Sequence, residues 1–260
     1  MKKSSLFGKI FIWIIMAFVY IPIISMVVFS FNSSRSLTRW SGFSLTWYRE
    51  LFVDKAIIQA VTVTIVVAVV STIISTIIGT LASIALTKQR KVIREVTLSL
   101  NNIPVLNPEI ITAVALFLLF GAFAIERGYT TMLLAHIAFS IPYVVIAVYP
   151  KVRSLDPNLT DAAYDLGATP IQALFKVILP QIKVAVIAGA AIAFTMSFDD
   201  FAISFFAVSG TSIQNISIYL YTLRRGVEPT INALSTIIIV FIGVKVVLDF
   251  IKIRKLKEEE

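Results

Sequence analysis

The stretch DAAYDLGATPIQALFKVILP, Asp161–Pro180, decides the fold: it is a polar, helix-patterned insert between two apolar runs long enough to cross a bilayer. A soluble partner can grip such an insert. Asp156-Pro157 supplies an N-cap with proline at the first helical position, and Thr169-Pro170 repeats the pair just after Gly167. The spacing predicts a helix, a glycine break and a second helix. Leu159, Ala162/Ala163 and Leu166, then Ile171, Leu174/Phe175 and Ile178, recur at three- and four-residue steps, which predicts one apolar face on each short helix. Spacing alone is met equally well by an amphipathic helix lying on a membrane surface.

Around this insert the chain is 58% hydrophobic and 15% charged, with a mean hydropathy of +0.90, which marks an integral membrane protein. Runs of roughly twenty apolar residues predict six spans at about 10–31, 57–87, 96–125, 130–150, 184–208 and 231–251. Most lysines and arginines, among them Lys2, Lys3, Lys88, Arg90, Lys91, Arg94, Lys151, Arg153, Lys176 and Lys183, then share one side. Arg35, Arg39, Arg49, Lys55, Arg127, Arg224 and Arg225 face the other. The positive-inside rule puts both termini and the insert in the cytoplasm and accounts for the net charge of +8 without nucleic acid. The first span is too long for a signal-peptide core and is expected to stay as a helix. One membrane domain, residues 1–260, is expected, with the cytoplasmic loop at about 152–183.

No G-x-x-x-x-G-K-[ST] loop or G-x-S-x-G turn occurs, cysteine is absent, and His136 is the one histidine, so neither nucleotide hydrolysis nor a metal site is expected of this chain. His136 lies in an apolar run, where a packed or hydrogen-bonded role outweighs a catalytic or ligand one. The informative groups are carboxylates inside the spans: Glu109, Asp199, Asp200 and Asp249. Asp249 lies beside Lys245 and Lys252, where an ion pair explains it. Pro104 and Pro108 should break the third span just before Glu109, and broken helices at that depth are where transporters place substrate sites. Asp199-Asp200, taken as helical, point about 100° apart, so at least one should line a cavity. With no basic residue at hand, the missing positive charge points to the cargo. Phe198, Phe201, Phe205 and Phe206, with Trp47 and Tyr143, are candidate apolar or cation–π walls.

The order of residues in the insert resembles the EAA loop of ABC-importer permeases: Glu-Ala-Ala, three residues, Gly, nine residues, Ile-x-Leu-Pro. Asp161, Ala162, Ala163, Gly167, Leu179 and Pro180 hold that spacing, with Asp161 replacing the glutamate and Val177 the isoleucine, and with Asp165 and Ala168 inside the pattern. The resemblance implies an all-α, six-helix permease of type I (MetI-like) architecture in a bacterial cytoplasmic (inner) membrane, whose loop docks on a cytoplasmic ATPase. Ser197–Ile203, Pro104–Glu109 and Ile218-Tyr219 followed by Pro229-x-x-Asn232-Ala233-Leu234 further resemble the spermidine/putrescine branch, the PotC type. That branch implies a second, PotB-like permease, two copies of a PotA-like ATP-binding subunit that use ATP and Mg, and a PotD-like extracellular binding protein. No cofactor is then bound by this chain. The alternatives are a permease for iron, thiamine or another cation, and, against the loop pattern, a stand-alone ion-coupled secondary transporter. Oxyanions would meet hostile carboxylates.

Overall fold

The computed structural model describes residues 6–223 and 229–258, with side chains described over residues 8–223 and 229–244. Its helices are α1 (Leu6–Phe29), α2 (Thr46–Leu51), α3 (Lys55–Thr87), α4 (Lys91–Leu106), α5 (Glu109–Ala122), α6 (Tyr129–Arg153), α7 (Asn158–Asp165), α8 (Pro170–Ala173), α9 (Leu179–Phe198), α10 (Ala202–Ala207), α11 (Ile216–Thr222) and α12 (Pro229–Glu258). A π-helical turn, Leu174–Ile178, joins α8 to α9. Among the described residues the only extended pairing is one antiparallel bridge, Asn32 with Phe43.

Gly8–Phe29, Lys55–Thr87, Tyr129–Arg153 and Pro170–Phe198 are each long and apolar enough to cross a bilayer. The third span, expected over 96–125 with a break before Glu109, is the pair α4 and α5, bent by 109°. Pro104 does not make that bend, for it sits inside α4; the chain leaves the helix at Asn107 (ψ 147°), held extended by the following Pro108. The expected span over 184–208 is also broken: α9 stops at Phe198, and Asp199–Phe201 leave the helix before α10 begins. Apolar runs flank this break on both sides, so a hydropathy window spans it without registering it. The sixth expected span falls on α12, of which Pro229–Val244 is apolar. The side chains of Lys245, Asp249 and Lys252, expected to pair, lie outside the described residues, as do Lys2, Lys3, Arg224 and Arg225.

The sequence reads as one membrane domain, and the fold groups it into two compact units: Met1–Ile58 with Thr222–Glu260, and Gln59–Tyr221. In the first unit α1 turns its apolar side chains outward, as a lipid-facing helix does. The buried Asn32 organises the loop after it: its Nδ2 donates to the carbonyls of Ser36 and Arg39, both at 2.8 Å, and its Oδ1 accepts the Ser41 N–H at 2.8 Å. Trp47 is buried here, its indole N–H donating to the Asn32 carbonyl.

The second unit is built around α6, which buries a face from Thr131 to Val152. Two glycines let neighbouring helices approach the same α6 residue, Val144, as small residues do where bilayer helices pack by contact alone. Gly189 of α9 leaves a Cβ position 3.4 Å from the Val144 Cα, while Gly79 of α3 leaves one only 2.7 Å from Val144 Cγ1 and 2.8 Å from its Cβ. Val144 is fully buried and stiff at χ1, so it cannot swing away from an added methyl. Gly79→Ala is therefore expected to destabilise the folded permease by about 1–3 kcal/mol, read as a lower thermal unfolding midpoint in detergent. Gly189→Ala should be nearly neutral, and equal midpoints for Gly79→Ala and wild type would refute this close approach.

Candidate functional site: a cytoplasmic loop and a carboxylate cluster

The Asp161–Pro180 insert folds as its capping residues dictate. The Asp156 carboxylate accepts the Asn158 N–H at 2.9 Å where α7 begins. At the other end of α7 the Gly167 N–H donates to the Tyr164 carbonyl (2.8 Å) and the Ala168 N–H to the Ala163 carbonyl (3.0 Å), with Gly167 at φ +81°. That is the Schellman arrangement, in which the left-handed residue is glycine because a Cβ there is strained. Nothing lies within 4 Å of a Cβ built on Gly167, so backbone conformation, not space within the chain, selects the residue. Thr169 then opens α8 with a capping box: its Oγ1 accepts the Gln172 N–H at 3.3 Å, and Gln172 Oε1 accepts the Thr169 N–H at 3.0 Å. Pro180 has no N–H to donate and its ring crowds the carbonyl of Lys176, which the wider turn over Leu174–Ile178 accommodates.

The apolar stripes are present but do not all turn inward. Ala163, Ala173 and Ile178 are buried where α7 packs on α8 and the π turn. Leu166 is 90% exposed, Ile171 70% and Phe175 63%, with Asp161, Ala162, Asp165 and Pro180 also exposed and Ala168 and Leu179 half-buried. The apolar face expected on each short helix is therefore split, part of it covered within the chain and part of it open. The chain closes the loop with alanines and presents its larger apolar groups outward.

Both carboxylate motifs sit at helix breaks. Glu109 is half-buried in the first turn of α5, at the positive end of the helix dipole. It lies close enough to Asp200 and Asp199 to interact electrostatically with both, and Tyr143 of α6 is within reach of Glu109 in the same way. Asp199 and Asp200 are not on a helix, so the 100° argument does not apply to them. Asp199 is exposed and Asp200 only 4% exposed.

Asp200 is occupied as well as buried. Its Oδ1 accepts the Ile203 N–H at 3.0 Å and its Oδ2 the Ser204 N–H at 2.7 Å, closing the start of α10. Its backbone carbonyl accepts from Asn215 Nδ2 at 2.9 Å. The same Nδ2 reaches Ser204 Oγ at 2.8 Å, while Asn215 Oδ1 accepts the Ile218 N–H at 2.9 Å. His136 completes the set: Nδ1 bonds Ser197 Oγ (2.7 Å), which also accepts from Ser71 Oγ (3.1 Å), and Nε2 bonds Ser204 Oγ (2.9 Å), with Asp200 Oδ2 3.4 Å away.

His136 has the hydrogen-bonded role expected of it, but sequence reading missed His136, Ser197, Ser204 and Asn215 as one network, because they come from α6, α9, α10 and the loop before α11. Of the candidate aromatics, Phe201 packs against Tyr221 (centroids 4.8 Å) and Phe205 (5.4 Å). Tyr143 packs edge-on to Phe139 (5.3 Å), and Phe198 stacks on Phe194 (5.5 Å) along α9. Trp47 belongs to the other unit. Tyr221, on α11, is a further ring of this group that sequence reading did not single out.

The family model for "Binding-protein-dependent transport system inner membrane component" matches residues 75–252. The chain is 37% identical over 246 residues to the spermidine/putrescine transport system permease protein PotC of Haemophilus influenzae, covering 94% of this chain and 95% of that one. It is 35% identical over 235 residues to the putrescine transport system permease protein PotI of Escherichia coli, covering 87% and 83%. In fold it matches a chain in the crystal structure of a bacterial ABC transporter involved in the import of the acidic polysaccharide alginate, with a TM-score of 0.67 at 18% identity over 97% of this chain and 99% of that one. A helical fold with a Schellman-capped loop between apolar helices, and sequence similarity along nearly the whole chain, establish that this protein belongs to the inner membrane permease family of binding-protein-dependent transport systems.

Proposed function

We propose that this chain is the permease subunit of an ATP-driven importer that carries spermidine or putrescine into the cytoplasm. The observation that carries the substrate reading is the gathering of Glu109, Asp199 and Asp200 at two helix breaks, with no lysine or arginine ion-paired to them among the described residues. A cargo with several ammonium groups supplies that charge, and its methylene segments suit the Phe201, Phe205 and Tyr221 rings. The names of the PotC and PotI relatives point the same way. Asp199 and Glu109 are the groups for cargo, while Asp200, engaged by backbone N–H groups, holds the break in shape.

In this reading both termini and the Asp161–Pro180 loop are cytoplasmic, on the positive-inside rule. The loop docks on one of two PotA-like ATPase copies, with Leu166, Ile171 and Phe175 entering a groove on that subunit. A PotB-like permease completes the passage, and a PotD-like extracellular protein delivers the polyamine. ATP and Mg are consumed by the ATPase pair, whose closure and reopening drive alternating access through the loop.

Three outcomes test this. Gly167→Val is expected to lower coupled ATP hydrolysis and uptake by roughly tenfold, matching ~1–2 kcal/mol of left-handed strain, with membrane insertion intact. Wild-type coupling in an assembled mutant would refute the loop assignment. Asp199→Asn should reduce spermidine uptake without changing the thermal midpoint, whereas Asp200→Asn, which turns an NH2 toward a backbone N–H, should cost about 1–3 kcal/mol of stability. The reverse pattern would exchange the two roles. In vesicles holding the complete transporter, spermidine or putrescine should compete for uptake and stimulate hydrolysis, while sulfate and neutral sugars should not; anion or sugar transport unaffected by polyamine would overturn the substrate and leave the family standing.

A further inference from the structure

A cavity of about 270 Å³ opens in the second unit where the ends of α3 and α6, the end of the π turn and the entry to α7 converge, with Arg94 of α4 beside them. Lys88, Arg94 and Arg153 line it, and none of them makes an ion pair among the described residues. The one carboxylate in the lining, Asp156, already accepts the Asn158 N–H. The wall between them is apolar, with Val152, Leu155 and Ile178. Tyr149 also lines the cavity; it is only 7% exposed, and its buried hydroxyl has no hydrogen-bond partner.

Three cations above an apolar wall match a phosphate group, whose oxygens guanidinium forks fit. We propose that this pocket binds a phosphate-bearing anion, and that the occupant is the headgroup of an anionic phospholipid in the leaflet on the basic side of the protein. The choice of a lipid over free phosphate rests on the cytoplasmic orientation given above, where anionic lipids concentrate. The phosphate chemistry itself does not depend on it. Because Asp156, Pro157 and Thr160 form part of the lining, an occupied pocket ties the entry of α7 to the ends of α3 and α6.

The test uses the assembled transporter in neutral detergent, without polyamine, so its failure leaves the transport reading untouched. Phosphatidylglycerol, phosphatidylcholine and inorganic phosphate are each titrated, and the most tightly held molecule is counted by native mass spectrometry. Phosphatidylglycerol is expected to be retained in preference to phosphatidylcholine, with affinity lowered about fivefold by Arg94→Gln and about fivefold by Arg153→Gln. Displacement of the lipid by millimolar phosphate, sensitive to the same substitutions, supports the shared chemistry and reassigns the occupant to the free anion. Equal retention of the two lipids without phosphate binding, or phosphatidylglycerol affinity unchanged in both variants, overturns the proposal.

Discussion

A bilayer offers no water to a broken helix, so each backbone group released at a break has to find a partner inside the protein. The second unit depends on how it meets that demand at Asp199–Phe201. The Asp200 carboxylate takes two N–H groups at the start of α10, Asn215 takes the Asp200 carbonyl and the Ile218 N–H, and Thr64 Oγ1 accepts the Ile216 N–H at 2.9 Å. His136 sits at the crossing, joined by hydroxyls to α9 on one side and α10 on the other. One irregular segment is thereby held in a single arrangement by side chains from α3, α6, α10 and the loop before α11. Without those partners Asp199 would have no fixed position from which to meet Glu109.

How much of this was legible in the sequence depends on the range of the interaction involved. The insert could be read closely because capping is local: Asp156, Gly167, Thr169 and Gln172 meet backbone groups within a few residues of themselves. The bend before Glu109 was half legible. Pro108 fixed its neighbourhood, while Pro104 was absorbed by α4. The end of α9 was illegible, since Ile203, Phe205 and Phe206 carry the apolar pattern past it and the residues that stabilise the break lie far away in the chain. Periodicity likewise gave the stripe on α7 and α8 but not which part of it the chain itself covers. Ala163 and Ala173 were small enough to let the two short helices close, and Leu166 and Phe175 were left outside.

Charge is segregated along the second unit. The cluster of Glu109, Asp199 and Asp200 concentrates negative groups at two helix breaks, and Lys88, Arg94 and Arg153 concentrate positive ones around a separate cavity near the loop. The acidic group lies where desolvation makes every unbalanced charge costly. The basic group works at helix ends, where long side chains reach polar surroundings and hold them at little cost.

The helical stretch from Pro170 to Phe198 has one further consequence. It contains 29 residues, which at about 1.5 Å per residue makes a rod roughly 43 Å long. One tip is the Thr169-capped start of α8 in the exposed loop, and the other abuts Asp199. A rod of that length is a lever: a tilt of about ten degrees about one end sweeps the other through roughly 7 Å, more than a full turn of helix. The π turn near its lower end is the place where such a lever can flex without losing its backbone bonds. The arm that a partner would push and the carboxylate that a cargo would touch are the two ends of one continuous piece of backbone.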